Sequence, residues 1–277
     1  MGAAFRITIL SIFLTTAVSC SARRFAERDR ILDGEPVTQA EAQQLYSAAS
    51  ARSREIHSLR VLSKTTITSG EDKYRFDHVI VAQYPSSLRV ETLAPNAGYA
   101  VSVLTTDGNS ALITDAVEKK ASMTDNPAGA LVSRFKVQAT PLELNYLLAG
   151  RVWPELLEEI SNNTARLKKV AGTDSCSYIS YTRRFEVALD CVSGLVNYAR
   201  KFSPWNDEVM FVVELSSYGL KQEALLPDTI NFQLMREDVQ VELKLLKVKL
   251  NTDIPAALFT QQIPSNFVVV KDSEREG

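Results

Sequence analysis

From Leu59 onward the chain alternates apolar and polar residues, and turn signals recur at short intervals. In "KYRFDHVIVAQ", Tyr74, Phe76, His78 and Ile80 fall on one face, and Lys73, Arg75 and Asp77 on the other. The runs "SSLRVETLA", "YAVSVLTT", "SALITDA" and "EKKASM" follow. Tyr84-Pro85-Ser86, Ala94-Pro95-Asn96-Ala97-Gly98 and Asp107-Gly108-Asn109 separate them. This spacing predicts an antiparallel meander of at least five strands. His78, on an aromatic face, reads as a satisfied wall residue rather than a base.

Helical periodicity precedes the meander and interrupts it once. Thr38 and Glu41 form a capping box, and Ala42, Leu45, Ala49, Ile56 and Leu59 repeat at three, four or seven. A helix with a thin, Ala-rich apolar face is expected over 38–58, with His57 exposed or capping at its end. In the middle, "NPAGALVSRF" reads as loop plus short helix. "TPLELNYLLAGRV" has Thr140 as N-cap, Pro141 at N1, Glu143 at N3 and Gly150 as stop. It is apolar nearly all round, so it should be buried. "WPELLEEI" starts another helix at Pro154. Strands resume at 164–171, 175–182, 185–192, 195–203, 208–216, 228–236 and 239–250. In the last, Val239, Val241, Leu243 and Leu245 share one face, and Leu246, Val248 and Leu250 the other. A β-bulge near Leu245-Leu246 would account for the shift.

A flat sheet of so many strands curls or splits. If it curls without closing, its concave face needs a cover, and the helices are the available one. The expected class is α+β: one large curved antiparallel sheet forming an unclosed β-barrel, or half-barrel, under a helical lid.

The N-terminal stretch "MGAAFRITILSIFLTTAVS" has one cation, Arg6, then an apolar run from Ile7 to Val18. That run is too short to span a bilayer and fits the apolar region of a secretory signal. Ala17-Val18-Ser19-Cys20 resembles a bacterial lipoprotein signal, in which the cysteine is acylated and becomes the mature N-terminus; Ala17 stands where leucine is usual. The alternative is an ordinary signal peptide with a chance cysteine. The expected division is 1–19 signal peptide, 20–36 tether, 37–270 folded domain and 271–277 polar tail. Ser21, where an aspartate would retain the protein at the inner membrane, favours the outer membrane.

Cys176 and Cys191 flank two strand-like runs and are equidistant from Arg183-Arg184. A hairpin turning there would bring them opposite each other, and an oxidising compartment would pair them. The alternative is two buried thiols. Two cysteines and the distant His57 and His78 show no metal-ligand spacing. Net charge is −2, with acids and bases interspersed; a nucleic-acid binder would cluster its cations. There is no G-x-S-x-G, no Gly-rich phosphate loop and no H-E-x-x-H. No enzyme activity, cofactor or metal is expected.

Four stretches resemble the bacterial lipoprotein-localisation proteins of the LolA/LolB superfamily. They are "SLRVETLAPNAGYAVSVLTTDGNSALITDA", "TPLELNYLLAGRVWPE", the Cys176–Cys191 hairpin with "GLVNYARKF", and "LNTDIPAALFTQQIPSNFVVV". They span roughly 60–270 in the right order. The resemblance implies an unclosed barrel with a helical lid over a hydrophobic cavity, which takes up acyl chains of lipoproteins. With its own lipobox the chain is more like the lipid-anchored LolB receptor than the soluble carrier. Implied partners are acyl chains of lipoproteins or phospholipids, a periplasmic carrier protein, and the outer membrane through the lipid on Cys20. The family's insertion loop presents a leucine; the aligned turn here, Pro95-Asn96-Ala97-Gly98, offers Ala97. Arg89 is the nearest match to the carrier's cavity arginine, although it reads better on the convex face.

Acyl chains bind by leaving water, each methylene contributing about 0.8 kcal/mol. Candidate cavity walls are Tyr74, Phe76, Ile80, Leu88, Val90, Tyr99, Val101, Val103, Phe211, Val213, Ile230, Phe232 and Leu234. The same residues could instead fill a dry core under the helices. The functional expectation is a lipid-anchored periplasmic binding protein for acyl chains, acting in outer-membrane lipoprotein localisation. The alternative is a non-transfer scaffold or sensor of the envelope on the same fold.

Overall fold

The computed structural model describes residues 34–95, 98–162, 166–170, 175–180, 184–260 and 262–271. Cys20, the signal stretch, the tether up to residue 33, Asn96, Ala97 and the tail beyond 271 lie outside the described residues.

In chain order the elements are β1 (Glu35–Pro36), α1 (Gln39–Glu55), β2 (Ser58–Ser69), β3 (Asp72–Gln83), β4 (Ser87–Leu93), β5 (Ala100–Thr106), β6 (Ala111–Asp115) and β7 (Lys120–Thr124). Three helices follow: α2 (Pro127–Phe135), α3 (Pro141–Leu148) and α4 (Pro154–Asn162). Then come β8 (Leu167–Lys169), β9 (Ser175–Ser180), β10 (Phe185–Asp190), β11 (Val196–Phe202), β12 (Val209–Lys221), β13 (Ala224–Leu234), β14 (Val239–Leu250) and β15 (Val268–Lys271).

Among the described residues the 15 strands form one sheet. Its order is β1, then β8 to β14, then β2 to β7, then β15. The sheet is not closed: β1 and β15 are its edges. The fold is α+β, as the period change implies. The two runs of strands join where β14 pairs with β2, from Val239 opposite Ser69 to Leu250 opposite Leu59. In β14 the register slips between Leu245 and Lys247, so Leu246 is the extra residue of a bulge. That slip turns Val248 and Leu250 toward the face that Val239, Val241 and Leu243 occupy before it.

The inner face can be followed strand to strand. Val61, Ile80, Val90, Leu104 and Ile113 form one row. The neighbouring row is Ser63, His78, Thr92 and Ser102, a polar stripe across β2 to β5. All four polar residues are buried.

The helices lie on this face. Thr38 and Glu41 cap α1 reciprocally, and the helix buries Ala42, Leu45, Ala49 and Ser53. Its Ala-rich stripe has a purpose. The β10–β11 turn comes so close that a Cβ on Gly194 would stand 2.5 Å from the Ala49 nitrogen. Gly194 also has φ +70, which an L side chain resists. Helix α3 carries the second capping box, between Thr140 and Glu143, and most of it is buried. Gly150 follows its end at φ +66, and a Cβ there would meet the Tyr218 hydroxyl at 2.0 Å.

Four expectations are corrected. Glu35 and Pro36 are not tether; they pair with Lys169 and Lys168 at the sheet edge, where proline's missing N–H costs nothing. The strands expected over 208–216 and 228–236 are longer: β12 and β13 run on to a two-residue turn at Gln222-Glu223, both at positive φ. No glycine marks that turn. The hairpin between the cysteines turns one position early, so Cys176 faces Leu189, not Cys191. Cys191 sits just past the strand, and the disulfide reaches it diagonally with the Cα atoms 5.2 Å apart. Finally, the sheet is mixed, because β15 runs parallel to β7.

Candidate functional site

A cavity of about 390 Å³ lies between the inner face and the helices, open on one side. Sheet residues from five strands line it: Thr65 and Ile67 of β2, Phe76, His78 and Ile80 of β3, Val90 and Thr92 of β4, Phe232 of β13, and Val239, Val241 and Leu243 of β14. Leu144 and Leu148 of α3 roof it, with Phe135 at the end of α2 and Val137 just beyond. The lining is mostly hydrocarbon, as in small-molecule sites of this size.

The rim is cationic. Helix α2 starts at Asn126, whose side chain accepts from the Gly129 N–H. It ends at Lys136, which takes a left-handed φ of 60 while its N–H closes on the Val132 carbonyl. That reversal leaves Arg134 and Lys136 exposed at the mouth.

The floor holds a buried imidazole. His78 Nδ1 lies 2.8 Å from Thr65 Oγ1, and Thr65 Oγ1 lies 3.5 Å from Ser63 Oγ. Burial, then the charge of Arg134, brings the His78 pKa down to about 4, against a smaller upward pull from Asp77. It is therefore neutral near pH 7 and available for hydrogen bonding rather than for charge.

The sequence-derived wall residues separate into groups. Phe76, Ile80, Val90 and Phe232 line the cavity. Leu88, Phe211, Val213, Ile230 and Leu234 are packed into the core. On that side the hollow is filled by an edge-on aromatic run, Trp153 on Phe185 at 4.8 Å, Phe185 on Phe211 at 6.0 Å, and Phe211 by Phe232 at 6.3 Å. Tyr74 and Tyr99 are exposed, beyond the reach of the helices. Val103 is corrected to the outer face, since it pairs with Glu91 and Thr114 while its neighbour Leu104 faces inward, and Val101 is the extra residue where the β4–β5 register shifts. Alternation misleads in β5, because the inner face carries Ser102 beside Leu104 while Val103 takes the outer face.

The outer face there is covered by the C-terminal segment. Arg89 lies on it, 2.6 Å from Glu91 and 3.1 Å from the Leu258 carbonyl, and Phe259 is buried nearby in the chain. Pro95 and Gly98 of the expected insertion loop are exposed.

Sequence reasoning overlooked Thr65, Thr92, Leu144, Leu148 and the rim residues 134–137 as lining. The shared phase of Val239, Val241 and Leu243 was the available signal for β14. It also overlooked Arg151, only 1% exposed. Arg151 donates to the carbonyls of Arg52 (3.0 Å), Ala149 (3.1 Å) and Leu225 (2.8 Å) and to the Glu55 carboxylate (3.0 Å). This side chain ties α1, the end of α3 and β13 together. Nothing in "LLAGRV" distinguishes it from a surface arginine.

One end of the sheet gathers the turns β2–β3, β4–β5, β6–β7, β11–β12 and β13–β14, because these are alternate hairpins of one meander. The cavity lies toward this end: Ile67 and Val239 are close in sequence to its turns. Trp205, Tyr99, Tyr74 and Val117 are exposed in or beside the same turns.

This arrangement, an unclosed sheet under a helical cover, is similar in fold to several solved structures. A LolA superfamily protein from Nitrosomonas europaea matches with a TM-score of 0.56 at 12% identity, over 79% of this chain and 97% of that one. A DUF1329 family protein from Desulfovibrio piger matches with a TM-score of 0.55 at 9% identity, over 81% and 97%. A domain assigned to outer membrane lipoprotein sorting from Vibrio parahaemolyticus matches with a TM-score of 0.54 at 9% identity, over 79% and 97%. No protein-family model matches the sequence, and no curated protein sequence does.

Proposed function

We propose that this chain is a lipid-anchored binding protein of the bacterial envelope that takes acyl chains of lipoproteins or other lipids into the cavity. The observation that carries this reading is the apolar hollow of about 390 Å³ left between the sheet and helices α2 and α3. Each methylene entering it contributes about 0.8 kcal/mol by leaving water. In this reading Cys20 carries the acyl anchor, the domain faces the periplasm from the outer membrane, and a periplasmic carrier delivers the cargo. The kinship of fold with a lipoprotein-sorting domain supports it.

Native mass spectrometry of the purified, non-lipidated protein tests the cavity. Co-purifying fatty acid or phospholipid is the expected result. A clean apo mass, with no displacement of a fluorescent fatty-acid probe, would sink the reading. Val241→Trp, which fills the cavity from β14, should abolish probe binding. Incorporation of radiolabelled palmitate, lost in Cys20→Ala, tests the anchor.

A second reading is a scaffold or sensor that binds without transferring. The turn Pro95-Asn96-Ala97-Gly98 carries no large apolar residue for insertion, which favours it. Transfer of a labelled lipoprotein to vesicles separates the two readings.

A further inference from the structure

The rim and floor of the cavity are matched for a negative charge. Arg134 and Lys136 both line the opening. Among the described residues neither side chain has an ion pair or hydrogen bond. The nearby acids are engaged elsewhere. Arg134 also borders a second recess containing Asp115, Glu118 and Lys120. There Glu118 pairs with Lys120 at 2.9 Å, and Asp115 accepts the N–H groups of Val117 and Glu118 at 3.0 Å each.

Below the rim, the polar stripe crosses the cavity floor. His78 uses Nδ1 on Thr65, and its Nε2 has no partner among the described residues. The Thr92 hydroxyl has none either, though Thr92 is buried and lines the cavity. Both groups open onto the cavity, so a polar end of an occupant can take up the hydrogen bonds that the protein leaves unmade. Arg134 is close enough to His78 for its charge to act on the imidazole. Cations at the rim and unmatched hydrogen-bonding groups on the floor therefore border one part of the hollow, and hydrocarbon borders the rest.

We propose that the cavity selects an aliphatic chain ending in an anion, a carboxylate or a phosphate ester. Arg134 and Lys136 hold the anionic head, with His78 and Thr92 beneath it, and the chain runs over the apolar lining. This rests on reading the cavity as a lipid site, and adds the headgroup. Charge-assisted hydrogen bonds at a partly dry rim are stronger than neutral ones and weaken with salt.

The test compares an anthroyloxy-labelled stearic acid with its methyl ester on the purified protein and on Arg134→Glu/Lys136→Glu. Both substituted side chains are exposed, so the variant keeps its fold, which circular dichroism checks. The protein should bind the acid about tenfold more tightly than the ester, and the variant should lose that preference while still binding the ester. Equal affinity for acid and ester, or a preference that survives in the variant, overturns the headgroup assignment and leaves the lipid cavity standing. Failure of both probes overturns the cavity reading itself. Displacement by palmitate alone assigns a free fatty acid, and displacement by lysophosphatidylglycerol assigns a phosphate headgroup. Equal displacement by lysophosphatidylcholine overturns selection for net negative charge.

Discussion

His78 Nδ1 and Thr65 Oγ1 meet at 2.8 Å on the cavity floor, joining β3 to β2 in a mostly apolar hollow. That contact fixes the imidazole while burial and Arg134 hold it uncharged, with its pKa near 4. The unfolded value is about 6.5. Between those limits the unfolded chain binds more protons than the folded one, so stability falls as pH drops from about 6.5 toward 4. The loss amounts to about 3 kcal/mol at most. Urea melts between pH 7 and pH 5 should show it, and His78→Gln should flatten the slope. An unchanged slope in that variant would exclude His78 as the titrating group.

Arg151 anchors three elements by four hydrogen bonds from a position almost out of solvent. Arg151→Met should destabilise the fold by about 3 kcal/mol, because three carbonyls and the Glu55 carboxylate lose their donor. Arg151→Lys should recover only part, since an ammonium lacks the planar fork. Glu55 is partly solvated, so Glu55→Gln should cost less than either. Thermal melts of the three variants should fall in that order.

The Cys176–Cys191 bond closes a loop with a sequence separation of 15. Replacing both cysteines by alanine should lower stability by about 3 kcal/mol. The folded spectrum should be unchanged, because β9 and β10 remain paired by their backbone. A melting temperature equal to that of the parent would mean the bond constrains nothing.

Trp205 is 91% exposed and Trp153 is 1% exposed, and these are the two tryptophans of the chain. An indole at a turn tip suits a membrane interface, with an apolar ring and a polar N–H. On adding anionic phospholipid vesicles, emission should shift to the blue, since only Trp205 can change its surroundings. Trp205→Ser should abolish the shift and alter stability by less than about 0.5 kcal/mol. A shift that persists would assign the change to Trp153.

Elements governed by local chemistry were legible in the chain. Thr38 with Glu41 and Thr140 with Glu143 cap helices where the sequence places them, because a capping box needs residues only three apart. The bulge at Leu246 showed as a phase slip in β14, because alternation records which face each side chain takes. The fold class followed from the order of these patterns. The cavity was partly legible: Phe76, Ile80, Val90 and Phe232 are on its wall, whereas Val103 is on the outer face because the register with β4 and β6 turns Ser102 and Leu104 inward.

The sequence by itself determined the helices and most of the strands, and which two cysteines could pair, but not the edge strands β1 and β15. Those properties depend on neighbours a few positions apart. Only the tertiary structure decided that Cys176 faces Leu189, that a hairpin could turn at Gln222-Glu223 without glycine, and that β15 runs parallel to β7. It alone set His78 under Arg134 and buried Arg151 among carbonyls from three elements. Those contacts join residues far apart in the chain, and register, helix placement and burial fix them together.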